Sequence, residues 1–99
     1  MRTVVFVAPF PLGTTMRFAR AAAALRGIRL VGVMQQLPTG DDRRLFADLV
    51  RVEDGLSTRE LIAAVDLLRQ RHGQPHRIIG VLEPLQVQLA QLRAHFGIP

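Results

Sequence analysis

Two places in this chain carry polar groups positioned to do chemistry. The first is the Pro/Gly turn PFPLGTT at residues 9–15, which joins an apolar run to the start of a helical pattern. Pro9 and Gly13 shape the turn, and the hydroxyls of Thr14 and Thr15 stand beside the free N–H groups of a helix start. That combination favours an anion, a phosphate or a carboxylate. The second is Glu83, immediately before Pro84, where an apolar strand gives way to a helix. A carboxylate there can orient an amine or a neighbouring domain. Each residue also has a plainer use: Thr14 or Thr15 as the N-cap of its helix, and Glu83 as a first-turn carboxylate that stabilises the helix after it.

Composition removes most other chemistries. The chain has 99 residues and no cysteine, which rules out disulfides, thiolate metal sites and a thiol nucleophile. All 13 of its cations are arginine, so there is no Schiff-base lysine and no phosphate-loop lysine. A Walker loop fails for want of Gly-Lys-Ser/Thr after Gly13. The dinucleotide fingerprint fails because Pro9 and Pro11 stiffen the turn and remove two donors. A receiver-type phospho-acceptor at Glu53-Asp54 lacks both its lysine and the acidic residues after the first strand. His72, His76 and His95 have no metal-ligand spacing with a carboxylate; His72 and His95 suit the C-terminal ends of helices. The net charge of +5 is spread from Arg2 to Arg93 without a basic stripe, and Tyr and Trp are absent, so no nucleic-acid partner is expected. No run spans a bilayer and no signal peptide is expected, which makes a cytoplasmic location the default.

The pattern that must position these groups alternates strand and helix. TVVFVA at 3–8 is a continuous β-branched run of the kind buried on both faces of a parallel sheet. A helix is expected over 15–26, with Phe18, Ala22 and Leu25 as its apolar line and Gly27 past its end. IRLVGVM at 28–34 is a second strand. A short helical turn over 41–47 and a weaker strand at 48–52 follow. Ser57-Thr58-Arg59-Glu60 fits a capping box that opens a helix bearing Leu61, Val65 and Leu68 and stopping at His72-Gly73. Strand four covers 77–82. A last helix starts at Glu83-Pro84, carries Leu85, Leu89, Leu92 and Phe96, and ends at Gly97. Strands joined by helices run parallel, and right-handed crossovers place helices on both faces. The expected fold is therefore α/β: a small doubly wound, Rossmann-like parallel sheet of about four strands, ordered 3-2-1-4, in one domain over 1–99. Its ligand crevice lies beyond strands 1 and 4.

The Pro-containing turn after the first strand, "GVMQQ" after the second and above all "RIIGVLEPLQVQLAQLRAHFGIP" resemble the N-terminal domain of ATP-grasp ligases. In that family a strand ending in Gly-x-x-Glu leads to a helix and then a Gly-Ile/Leu-Pro exit. The resemblance covers the whole chain in topology and about its last quarter in residue detail. It implies a Rossmann-like pre-ATP-grasp domain that precedes nucleotide-clamping domains. The family joins a carboxylate to an amine or thiol through an acyl-phosphate, with Mg-ATP as cofactor. Carried over residue by residue, Glu83 and the turn from Pro9 through Gly13, Thr14 and Thr15 face the substrate side; Gln35 and Gln36 lie in the same region but match less clearly.

The lysines and metal ligands of that family belong to later domains, so the resemblance implies a piece of a longer enzyme. Its 99 residues would supply fold and part of the substrate surface, with no catalytic residue and no metal or cofactor of their own. The implied partners are C-terminal ATP-grasp domains and a small carboxylate or amine substrate, and the exposed interdomain surface implies a homo-oligomer in isolation. The alternative is a stand-alone module that senses a small anion or nucleotide at the strand 1/strand 4 crevice; a purely structural assembly domain is a third.

Overall fold

The computed structural model describes residues Met1–Pro99. Four strands, β1 (Arg2–Ala8), β2 (Ile28–Met34), β3 (Asp48–Arg51) and β4 (Arg77–Ile79), form one sheet in the order β3-β2-β1-β4. All three pairings are parallel: Val5 stands opposite Val31 and Ile78, and Val33 opposite Val50. The helices are α1 (Gly13–Ala23), α2 (Gly40–Arg43), α3 (Thr58–His72) and α4 (Gln86–Phe96), with a 3₁₀ turn at Glu83–Leu85 leading into α4. The fold is the expected α/β, Rossmann-like one. No helix is long and apolar enough to cross a membrane.

Alternation along the central strand creates two cores. Val5 and Val7 point to one face, where Leu61, Val65 and Leu68 of α3 meet Leu89 and Leu92 of α4. Val4, Phe6 and Ala8 point to the other, against Met16 and Ala19 of α1, Met34 and Phe46. Burying a leucine-sized side chain stabilises the fold by about 1.5–3 kcal/mol, and residues 3–9 are buried without a break. Helices therefore cover both faces, α3 and α4 on one and α1 on the other.

Six local expectations need correction. α1 begins at Gly13, two residues early, with Leu12 as its N-cap and no side-chain cap. Neither Thr14 nor Thr15 is the cap: Thr14 is exposed and Thr15 is buried on the helix. The buried line of α1 is Met16 and Ala19, with Ala22 and Ala23 half-buried. Phe18 lies roughly 200° around the helix from Met16 and faces outward, and Leu25 falls beyond the helix end in the turn before Gly27. The small alanines let α1 approach the sheet where a phenylalanine would hold it off.

β4 is shorter than the expected 77–82, because the chain leaves the sheet at Gly80. The last helix opens as a 3₁₀ turn with Pro84 inside it before α4 begins. The capping box is half made. Ser57 Oγ accepts the Glu60 N–H at 3.3 Å, but the Glu60 carboxylate accepts the N–H groups of Glu53 and Asp54, at 2.9 and 3.3 Å. It ties α3 to the exit of β3 instead of returning to Ser57.

At the opposite end of the sheet, α3 is fastened to the start of β3 through Asp48. Its carboxylate lies 2.9 Å from His72 Nε2, 3.1 Å from Arg71 Nη1 and 2.9 Å from the Leu49 N–H. Burial alone would push this acid up, but the hydrogen bonds from His72, Arg71 and the Leu49 N–H together outweigh it and hold it below its usual value. Because the folded value is the lower one, this stabilisation is present above the unfolded carboxylate pKa and is lost as pH falls through the folded value. Asp48→Asn should cost about 1–3 kcal/mol at pH 7, and the difference from the parent should shrink below about pH 4. Urea unfolding at both pH values checks this; an equal difference at both would remove the charge from the explanation.

Candidate functional site

The carboxyl ends of the four strands meet at one edge of the sheet, and the loops there are tied together through main-chain groups. Pro9, the first residue after β1, is buried. Its carbonyl accepts two N–H groups from the exit of β2, Gln35 at 2.9 Å and Gln36 at 3.0 Å. The Gln35 side chain in turn accepts the Gly55 N–H at 3.0 Å. Gly55 lies so close to Pro9 that a Cβ there would sit 2.9 Å from the proline Cα. The loop between β3 and α3 therefore crosses back over β2 and rests on the exit of β1. Pro9 shapes this mouth from beneath while its ring stays packed away from solvent.

α4 closes the same loop from the other side. Gln88 Nε2 donates to the Leu56 carbonyl at 3.0 Å, and the Thr58 hydroxyl donates to Gln91 Oε1 at 2.6 Å. Gln35, Gly55, Glu60 and Gln88 thus build the mouth, and linear spacing points only to Gln35. Gly55 follows the Glu53-Asp54 pair without a turn signature that says which strand it will meet.

Two sets of polar groups are left free at this edge, and they are of opposite sign. With Leu12 as N-cap there is no side-chain acceptor at the start of α1, and its first turn has no acidic residue. The N–H groups of Gly13, Thr14 and Thr15 meet no acceptor in the chain. They carry the positive end of the helix dipole. Glu83, at the exit of β4, is exposed and forms no salt bridge or side-chain hydrogen bond. β1 and β4 are neighbours, with Phe6 opposite Ile79, so their exits lie side by side at this edge. An anion is favoured on the α1 side and a cation on the Glu83 side.

The residues at this mouth do not fit Mg-ATP. The chain has no lysine to meet a phosphate, and nowhere do three His, Asp or Glu side chains come together as a metal site. A cleft of ≈ 320 Å³ lies away from the β1 and β4 exits, along β3 and α3 between Val50, Glu53, Glu60 and Leu67. Its polar groups are already engaged: Arg51 pairs with Glu53 at 2.9 Å and Glu60 holds the β3 exit.

Glycine is required at one position of the site and optional at another. A Cβ on Gly80 would lie 2.9 Å from the Val7 carbonyl and 3.1 Å from Leu89 Cδ1, so the β4 exit that carries Glu83 passes between β1 and α4 only without a side chain. A Cβ on Gly13 would meet nothing within 4 Å. Gly80→Ala should lose about 1–3 kcal/mol by overpacking, whereas Gly13→Ala should gain a few tenths to about 1 kcal/mol by restricting the unfolded chain. Urea denaturation of the two variants separates these effects, and shifts of the same sign would contradict the close passage at Gly80.

No protein-family model and no curated protein matches this chain.

Proposed function

We propose that these 99 residues are the N-terminal, pre-ATP-grasp domain of an ATP-dependent carboxylate–amine or carboxylate–thiol ligase. One observation carries the reading: unpaired N–H groups at Gly13, Thr14 and Thr15 and an unpaired carboxylate at Glu83 follow the exits of two adjacent parallel strands, β1 and β4. A substrate that bears a carboxylate and an amine meets complementary charge at both ends. The Gly80-x-x-Glu83 spacing, with its physical need for glycine, supports the same reading. In it, the helix start holds a substrate carboxylate, Glu83 orients an amine, and Pro9 fixes the turn that carries α1.

Mg-ATP is held by C-terminal domains in this proposal, since the residues present do not suit its phosphates or its metal. Acyl-phosphate chemistry belongs to those domains, and the role of this chain is to bind and orient. A second reading, a stand-alone anion sensor, draws on the free α1 N–H groups alone and gives Glu83 no part.

Calorimetry distinguishes the two. Residues 1–99 titrated with Mg-ATP should give no binding heat, and the reading frame past Pro99 should encode a segment bearing lysines and acidic metal ligands. In that longer protein, Glu83→Gln should raise the KM for the amine about tenfold with the KM for ATP unchanged. Saturable Mg-ATP binding by residues 1–99 alone would overturn the ligase-domain reading. Saturable binding of inorganic phosphate, lost in Thr14→Glu, together with a stop codon after Pro99 would replace it with the anion sensor.

A further inference from the structure

The two faces of the sheet are covered unequally. On the α3/α4 face the packing runs from Val52 across Val33, Val31 and Val5 to Ile78, leaving open only the cleft between Val50 and Leu67 at the β3 edge. On the opposite face α1 packs chiefly on β2, and the helix that packs on β4, α4, lies on the other side of the sheet. The uncovered area is an apolar trough of ≈ 230 Å³ lined by Val4, Ala22, Leu25, Ile28 and Ile79, with His76 and Arg77 at one end. Leu25 on its rim is 62% exposed, and Phe18, farther along α1, is 55% exposed. Strands stand about 4.8 Å apart and packed helices 8–10 Å apart. A helix placed beside α1 would therefore lie about two strands over, above β4.

The charge of the trough selects the occupant. Arg17, His76 and Arg77 border the trough and the neighbouring Phe18 depression, and no carboxylate lines either. Arg2 stands 3.5 Å from His76 Nε2, and neither Arg2, Arg17 nor Arg77 forms a salt bridge. His76 is held below its ordinary value by burial first and then by the positive charges of Arg77 and Arg2. A second copy of this chain docked face to face across a two-fold axis would bring two positive patches together with no lining carboxylate to offset them. An added strand is disfavoured too, because Arg93 Nε and Nη2 occupy the Ile78 carbonyl of β4 at 3.0 and 2.8 Å.

We propose that the trough between α1 and β4 is a docking site for an acidic amphipathic helix of another protein, one whose apolar stripe is flanked by carboxylates. Its apolar residues at i, i+3, i+4 and i+7 fill the trough beside Phe18 and Leu25, and its carboxylates meet Arg2, Arg17 and Arg77. This surface lies on the α1 face of the sheet and is independent of the strand-exit mouth, so it stands or falls apart from the ligase-domain reading.

The test uses two labelled helical peptides with the same leucine stripe, one flanked by glutamate and one by lysine, titrated against the chain by fluorescence anisotropy. The glutamate peptide should bind saturably and weaken as salt rises, and the lysine peptide should bind at least about tenfold more weakly. Leu25→Glu and Phe18→Glu, both at exposed positions, should each weaken the glutamate peptide about tenfold or more with an unchanged melting temperature. No saturable binding of the glutamate peptide, equal binding of both peptides, or indifference to both substitutions would each overturn the proposal. So would binding to anionic phospholipid vesicles, or a dimer in sedimentation, that Leu25→Glu abolishes while the glutamate peptide fails to bind.

Discussion

The burial of β1 on both of its faces is the constraint from which the rest of the structure follows. Its residues from Thr3 to Ala8 are all buried, so every second side chain has to find a separate core. Val5 and Val7 require α3 and α4 on one side; Val4, Phe6 and Ala8 require α1 on the other. The strand also needs hydrogen-bonded neighbours along both edges, because an unpaired backbone group inside a core costs as much as a lost hydrogen bond. β2 meets all seven of its residues and β4 meets three. With β1 central, successive connections depart in opposite directions and leave a gap where its exit and that of β4 part company.

Specific contacts fix the strand exits on the β2 and α4 sides of that gap. The Pro9 carbonyl fastens the β1 exit to β2, Gly55 rests on Pro9, and Glu60 and Gln88 fix the loop that carries Gly55. Groups used in this way are no longer available to a ligand. What remains is the first turn of α1 and the carboxylate of Glu83, of opposite polarity. The rigid surroundings matter as much as the free groups, since oriented N–H dipoles hold an anion best when they do not have to reorganise around it.

Charge is distributed on the same principle of use and remainder. Arg20, Arg44, Arg51, Arg69 and Arg71 each pair with a carboxylate, and Arg93 is spent on the β4 edge. Most of these pairs are exposed and contribute little to stability. Among the arginines without a salt bridge, Arg2, Arg17 and Arg77 stand beside the apolar trough and the neighbouring Phe18 depression, where no carboxylate offsets them. The incomplete covering of the α1 face has a plain origin: the connection from β1 to β2 supplies one long helix there, whereas the connections on either side of β4 both fall on the other face.

The sequence by itself determined the element order, the parallel sheet and the strand exits, because each of these is written in local pattern. The apolar run at 3–8, the leucine spacing of α3 and α4, and Gly73 and Gly97 after their helices are all periodicities or turn conformations within a few residues. Glu83 and the turn before α1 were legible as polar groups at strand exits for the same reason. Only the tertiary structure decided which face of α1 is buried, that Leu12 and not a threonine stands at its start, and that Glu60 reaches back to β3. It alone showed that Gly55 rests on Pro9 and that Gly80 must pass the Val7 carbonyl. These depend on distances between segments far apart in the chain, and no spacing along the sequence encodes how closely two backbones will approach once both are pressed against the same strand.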